Sequence, residues 1–148
     1  LSIRRQRQMC IRDSPNGLDE NCKIRFTLEN DDKASMWSVK EIYEKIYHET
    51  GIPIVFDYHH HRFCTGGLTE QEALELAAST WPEGIDPVVH VSESRAAEQG
   101  DPKIRPQAHS DFIERQVDSY GQRHDIMLEC KKKELALLRL RRKVYASR

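Results

Sequence analysis

The apolar residues of the chain predict four short strands separated by helices. Short, largely apolar runs occupy residues 24–28, 52–56, 87–91 and 126–128, and the run at 52–56 is continuous, as is typical of a strand buried on both faces. Between them, apolar residues recur at helical spacing, which predicts helices over 39–49, from 69 to about 82, near 111–120 and from 131 to about 144. A long polar stretch, 92–108, is predicted as a loop. This alternating order is typical of a parallel sheet in an α/β fold.

Local signals mark where two of the helices begin. Ser38 with Glu41, and Thr69 with Glu72, have the spacing of a capping box, in which both residues satisfy free N–H groups of the first turn. Gly51 is expected to end the first helix, because glycine accepts the left-handed backbone found at helix ends.

Acidic residues and histidines stand where the predicted strands end. Glu29 follows the first run and Glu129 the fourth, Asp57 and His60 follow the second, and His90 comes directly after residues 87–89 of the third. Because right-handed crossovers place the carboxyl ends of parallel strands on one rim, we expect these side chains to converge. Carboxylates and imidazoles bind divalent ions such as Mn²⁺, Mg²⁺ or Zn²⁺. The pattern therefore predicts a metalloenzyme on a parallel α/β barrel.

Each motif also has a plainer interpretation when it is considered separately. Residues 29–32 could be a solvated acidic turn, and residues 57–61 a hydrogen-bonded histidine cluster at the surface. His90 could be a satisfied core histidine, His109 a surface residue after the polar stretch, and Glu129 a solvated residue before a helix. The recurrence of metal-ligand chemistry at strand ends and their loops favours a common site.

Length and composition narrow the choice of fold and of partners. An eight-stranded barrel typically needs about 250 residues, so 148 residues supply about four β/α units. The net charge is −1 and the pI about 6.7, so any affinity for nucleic acid must come from local patches. The four cysteines show no CxxC pair, which is typical of reduced thiols in a cytoplasmic protein. No apolar run approaches the roughly 20 residues of a membrane span.

The first residues differ in character from the rest. Residues 1–14 are rich in Arg and Gln, lack a clear period and do not begin with Met. A basic arm that touches phosphates is one interpretation. The favoured one is a non-native or disordered leader over residues 1–19, because the string QMCIRDS is similar to translated sequencing-adapter read-through. The folded domain is then predicted to span residues 20–148.

Taken together, the motifs resemble the UV damage endonuclease (UvdE) family over roughly residues 20 to 143. The matching segments are Leu28-Glu29-Asn30-Asp31-Asp32, Phe56-Asp57-Tyr58-His59-His60, Val89-His90-Val91-Ser92, Ala108-His109-Ser110-Asp111 and Met127-Leu128-Glu129-Cys130-Lys131. The resemblance implies the C-terminal half of a TIM (β/α)₈ barrel related to endonuclease IV. It also implies a metal-dependent DNA repair enzyme that nicks damaged double-stranded DNA 5′ of a UV photoproduct to start excision repair. We expect the complete protein to be a monomer.

The resemblance further implies roles for individual residues. Glu29 would bridge two metal ions, with Asp57, His90 and Glu129 completing the shell of one ion, and His60 and His109 holding an outer ion. Glu29, Asp57 and Glu129 would be the catalytic residues. The expected ion is Mn²⁺, with Mg²⁺ and Zn²⁺ as alternatives.

The chain departs from the family pattern in two ways. Val88 stands where members often have a lysine, two residues before His90. The family's first four strands and two further metal-binding histidines would lie in an N-terminal half that this chain does not contain. We therefore expect an inactive, truncated fragment with two open sheet edges.

Other functions remain open at this point. Arg62, Lys103 and Arg105 lie in predicted rim loops and are candidates for phosphate contacts, whereas the basic C-terminal helix is expected to face solvent. A sugar isomerase or epimerase on the same type of metal barrel would use the same residue types. A non-catalytic fragment is the other alternative.

Overall fold

Four parallel strands form one sheet in the computed structural model, which describes residues 10, 11, 13 and 17–145. Each strand lies beside the next one in the sequence, so all the carboxyl ends lie on one edge of the sheet. The predicted α/β class with a parallel sheet is confirmed. The strands are β1 (Leu28–Glu29), β2 (Ile54–Asp57), β3 (Val88–Val91) and β4 (Asp125–Leu128).

Helices connect these strands in the predicted alternating order. Residues 39–50 form one continuous helix, α2, whose middle turn, Tyr43–Tyr47, is π-helical. No described helix is long and apolar enough to cross a membrane. The remaining helices are α1 (Glu20–Lys23), α3 (Tyr58–His61), α4 (Glu70–Ala78), α5 (Arg95–Gln99) and α6 (Lys133–Leu140), which continues into a π-helical turn at Arg141–Tyr145.

The predicted helix signals are present as local structure. Ser38 accepts the Glu41 N–H and Thr69 accepts the Glu72 N–H, and each glutamate bonds back to the N–H of its capping residue. Gly51 ends α2 with φ 67°, in the left-handed region. Both capping boxes and the helix end are therefore confirmed.

The core lies between the sheet and helices α2 and α4. Strand β2 has neighbours on both sides and is buried along its whole length, which explains its unbroken apolar run. Phe56 from β2 belongs to one cluster with Ile46 from α2 and Leu74 from α4. Burying a side chain of this size contributes about 2–3 kcal/mol to folding, so this cluster holds the carboxyl edge of the sheet in place.

The first strand is shorter than the apolar run predicts. The N–H groups of Arg25 and Phe26 bond to the carbonyls of Cys22 and Lys23, so the residues after α1 form turns. Only Leu28 and Glu29 pair with β2. The boundaries of the other predicted strands and helices that are present agree with prediction to within four residues, and those at 39, 91 and 128 agree without any difference.

Two predictions in the second half of the chain are wrong. The predicted helix at 111–120 is an irregular segment, in which Ile113 and Val117 are buried at a spacing that imitates a helix. The predicted loop at 92–108 contains α5, whose N-cap Ser94 accepts the Ala97 N–H. The predicted leader lies largely on residues 1–9, 12 and 14–16, outside the described residues, so the division at residue 19 stays a prediction.

Gly66 lies where the loop after α3 approaches the start of α2. Its φ is 60°, and a Cβ there would overlap the Ser38 hydroxyl and lie 2.7 Å from Ser38 Cβ. We expect Gly66→Ala to lower the free energy of unfolding by about 2–3 kcal/mol, because backbone strain adds to a disturbed helix cap. Gly67→Ala is the matched control, with φ 84° and no heavy atom within 4 Å. Urea unfolding should show a loss of only about 1–2 kcal/mol there, and equal losses would contradict the close approach.

Candidate metal centre

The carboxyl edge of the sheet brings four of the six predicted ligand residues into one group. Glu29 ends β1, Asp57 ends β2, His90 lies on β3, and Glu129 directly follows β4. Each offers one ligand atom, and these atoms all lie within 4.8 Å of one another. The strand register produces this convergence, since Asp57 pairs with His90 across β2 and β3.

His90 lies between two of the carboxylates. Its Nδ1 atom is 3.1 Å from Glu29 Oε1 and 3.3 Å from Glu129 Oε1. His90 Nδ1, Glu29 Oε1 and Asp57 Oδ2 are nevertheless buried atoms that make no hydrogen bond of good geometry with the residues described. Buried polar atoms of this kind are costly unless they gain a partner. A divalent ion would supply it, and three carboxylates with one imidazole are suitable ligands, so the group can hold a metal ion.

The other two predicted ligands flank this group. His60 Nδ1 lies 2.9 Å from the carbonyl oxygen of Asn30, and His109 Nδ1 lies 3.0 Å from the carbonyl oxygen of Glu129. A carbonyl can only accept, so Nδ1 carries the hydrogen in each ring and Nε2 is left as an electron-pair donor. The two ring centroids are 5.7 Å apart. This arrangement is typical of histidines that bind metal through Nε2.

Asn30 is a site residue to which the sequence assigned no role. It is 1% exposed, its Oδ1 accepts the Asp57 N–H at 2.8 Å, and its Nδ2 donates to the Asp57 carbonyl at 3.1 Å. The side chain thereby continues the pairing of β1 with β2 beyond Glu29. Because its own carbonyl accepts from His60, Asn30 holds two predicted ligands at once. Its place inside the matching segment 28–32 was the only sequence signal for this role.

The closeness of carboxylates and imidazoles shifts their pKa values. Burial raises the pKa of Asp57 to about 6. Burial would also raise the pKa of Glu29, but the neighbouring His90 and His60 bring it below its usual value. Burial opposes the charged form of His60 and His90, yet the surrounding carboxylates raise the pKa of both rings. Metal ligands bind in their deprotonated forms, so a bound cation would displace the protons from these groups.

The three consecutive histidines of α3 have different surroundings. His60 faces the metal group, whereas His59 and His61 are buried. Burial lowers the pKa of His59 to about 4, so this ring is neutral near pH 7. His59 Nε2 lies 3.2 Å from the carbonyl of Gln107, and the ring packs edge-on against His109 at 5.6 Å. His59 therefore connects α3 to the segment that carries His109.

The predicted DNA contacts lie outside the metal group. Arg62, Lys103 and Arg105 are all exposed, and Arg62 follows α3 on the same edge of the sheet. Val88 is half-buried on β3 and offers no ligand atom in place of the lysine expected there. The role of the three basic residues in DNA binding stays a prediction.

Comparisons with known proteins point to one group of enzymes. Residues 7–147 match the family model described as UV-endonuclease UvdE. The chain is 34% identical to a UV DNA damage endonuclease of Bacillus cereus (strain G9842) over 83% of this chain and 39% of the relative. It is 33% identical to a UV-damage endonuclease of Schizosaccharomyces pombe over 85% of this chain and 21% of that protein.

A solved structure is also similar to this chain in both fold and sequence. The crystal structure of SacUVDE has a TM-score of 0.70 and 32% identity to this chain, and the match covers 87% of this chain and 42% of SacUVDE. The chain thus spans about two fifths of the length of the B. cereus protein and of SacUVDE. Its four β/α units are a partial barrel, as the sequence predicted.

Proposed function

Since the chain belongs to the UV-endonuclease UvdE family, we propose that the complete protein is a metal-dependent DNA repair endonuclease. It nicks the phosphodiester 5′ of UV photoproducts and so starts excision repair. The observation that carries the metal dependence is the convergence of Glu29, Asp57, His90 and Glu129 around buried atoms that lack hydrogen-bond partners. The substrate, damaged double-stranded DNA, is inferred from the relatives named UV DNA damage endonuclease.

The proposed ligands divide into two sets around Glu29. Glu29 Oε1 lies 3.1 Å from Nδ1 of His90 and 3.3 Å from Nδ1 of His60, so its carboxylate lies beside a residue of each set. We therefore assign Glu29 as the ligand that two ions would share. Asp57, His90 and Glu129 complete one set, and His60 and His109 form the other. When bound, divalent ions, with Mn²⁺ as the proposed species, polarise the scissile phosphate and lower the pKa of a coordinated water.

The residues of the chain prepare the site before substrate arrives. Asp57 Oδ1 accepts the His60 N–H at 2.7 Å, which leaves Oδ2 as the ligand atom. His60 and His109 keep their Nδ1 hydrogens on backbone carbonyls, so neither ring has to change tautomer to bind. Backbone groups at the strand ends thus fix the orientation of the Asp57, His60 and His109 side chains.

Nicking of supercoiled plasmid tests the proposal. We expect the complete protein with Mn²⁺ to nick UV-irradiated plasmid and to leave unirradiated plasmid largely intact, and a chelator should abolish the activity because the carboxylates alone cannot activate water. We expect no nicking by the 148-residue chain by itself, since in its described part β1 and β4 remain open edges and a barrel needs eight strands. Turnover of a ketose without any nicking would favour the sugar isomerase alternative instead.

A further inference from the structure

Three consecutive lysines begin two residues after Glu129, at the carboxyl end of β4. The sequence placed Lys131–Lys133 in an outer helix facing solvent. In the structure α6 begins only at Lys133, so Lys131 and Lys132 lie in the turn between the strand and the helix. This turn lies on the same edge of the sheet as the metal group.

Hydrogen bonds fix this turn to the segment that carries His109. The His109 ring bonds the Glu129 carbonyl at 3.0 Å, and the Lys131 N–H donates to the Ser110 carbonyl at 2.9 Å. The Lys132 N–H donates to the Asp111 carbonyl at 3.2 Å. Together these contacts give the lysine backbone a defined position relative to two proposed metal ligands.

An open cavity of about 380 Å³ lies beside the turn. Lys131 and Lys133 line it together with His109 and Glu129, whereas Lys132 does not. All three lysines are exposed, and none forms an ion pair with a carboxylate in the part of the chain that the structure describes. Two lysines without an ion pair to a described carboxylate therefore share a cavity with the edge of the metal group.

The backbone of Lys133 adds a second indication. Its φ is 44°, in the region that favours glycine, although the residue has a long side chain. Strained backbone of this kind clusters at active sites and at segments that hold ligands. Here the strain falls on a residue whose charge lines the cavity.

We propose that Lys131 and Lys133 form a phosphate-binding site that holds the DNA backbone beside the metal group. This inference rests on the proposed function. Phosphates in one DNA strand recur at about 3.4 Å of rise, so a strand whose phosphodiester lies at the metal group has further phosphates nearby.

The salt dependence of DNA binding tests this site. We expect the complete protein with Mn²⁺ to bind a fluorescent duplex, and Lys131→Gln/Lys133→Gln to reduce the slope of log affinity against log salt by about 1.8, or about 0.9 for each lost contact. This change in slope corresponds to about 30-fold weaker binding of the double variant near 0.15 M salt. Lys132→Gln is the matched control, because it removes one charge from an equally exposed neighbour outside the cavity, and it should leave the slope unchanged.

Two further measurements separate the possible outcomes. Calorimetry should show the same Mn²⁺ affinity in all variants. Lys133→Gly removes one charge and relieves the backbone strain, so it should reduce the slope by about 0.9, half the reduction expected for the double variant, without loss of thermal stability. An unchanged slope in the double variant, or an equal loss in Lys132→Gln, would overturn the phosphate site while leaving the proposed function intact. Failure of the unsubstituted complete protein to bind duplex DNA at any salt concentration would count against both.

Discussion

Replacing Glu29 with glutamine is expected to lower nicking of UV-irradiated DNA by about a thousandfold or more in the complete protein. Glutamine keeps the shape of the side chain but replaces one oxygen with an NH₂ group, which donates hydrogen bonds and cannot bind a cation. Glu29 Oε1 is a buried atom close to both His60 and His90, so its loss affects both proposed ligand sets. Metal ions supply several kcal/mol of transition-state stabilisation, and about 4 kcal/mol corresponds to this factor.

Single-turnover nicking and Mn²⁺ calorimetry together measure this effect. The control is Glu44→Gln, which removes the same charge from an exposed glutamate on α2, and it should leave both rate and affinity unchanged. Unimpaired nicking by Glu29→Gln would exclude Glu29 from the catalytic site. Loss of nicking with unchanged Mn²⁺ binding would retain Glu29 in catalysis but remove it from the metal shell.

The apolar runs predicted β2, β3 and β4 well, because each of these strands is a local feature with its own run, whereas most of the run before β1 forms turns. Strand β2 is buried on both faces, and its sequence shows this without any knowledge of its neighbours. Once four such strands are parallel, the residues that end them must share one edge, so the grouping of Glu29, Asp57, His90 and Glu129 followed from order alone.

Tertiary contacts decided what the sequence could not predict. Ile113 and Val117 are buried four residues apart because an irregular segment packs both against the core, and this spacing imitates a helix. The loop at 92–108 contains α5 and is fixed by contacts distant in sequence, such as the bond of His59 to the Gln107 carbonyl. Three consecutive histidines also look alike in sequence, and only the turn of α3 directs His60 to the metal group.

The hydrogen bonds around the proposed ligands could not be predicted from the sequence either. Asn30 follows a predicted ligand directly, but its importance depends on the backbone of Asp57 and the ring of His60, which lie 27 and 30 residues further along the chain. No periodic pattern records such contacts. They nevertheless determine which atoms of Asp57 and His60 are available to an ion.

Replacing Asn30 with alanine is therefore expected to weaken Mn²⁺ binding by about 10- to 100-fold, as is usual when a group that orients metal ligands is lost. The N–H and the carbonyl of Asp57 would both lose their partners at a residue that is fully buried. Unsatisfied buried groups cost about 1–3 kcal/mol each, so the free energy of unfolding should fall by about 2–6 kcal/mol. Calorimetry and urea unfolding measure the two effects separately.

Asn21→Ala provides the matched control, because Asn21 is exposed on α1, and surface changes of this kind usually alter stability by less than about 0.5 kcal/mol. Asn30→Asp separates the two hydrogen bonds further. Aspartate can still accept the Asp57 N–H, but it places a carboxylate oxygen against the Asp57 carbonyl, so we expect it to rescue little of the stability. If Asn30→Ala lost stability and kept its full Mn²⁺ affinity, Asn30 would support the fold without positioning the ligands. A loss of both would show that one side chain joins the β1–β2 pairing to the geometry of the metal site.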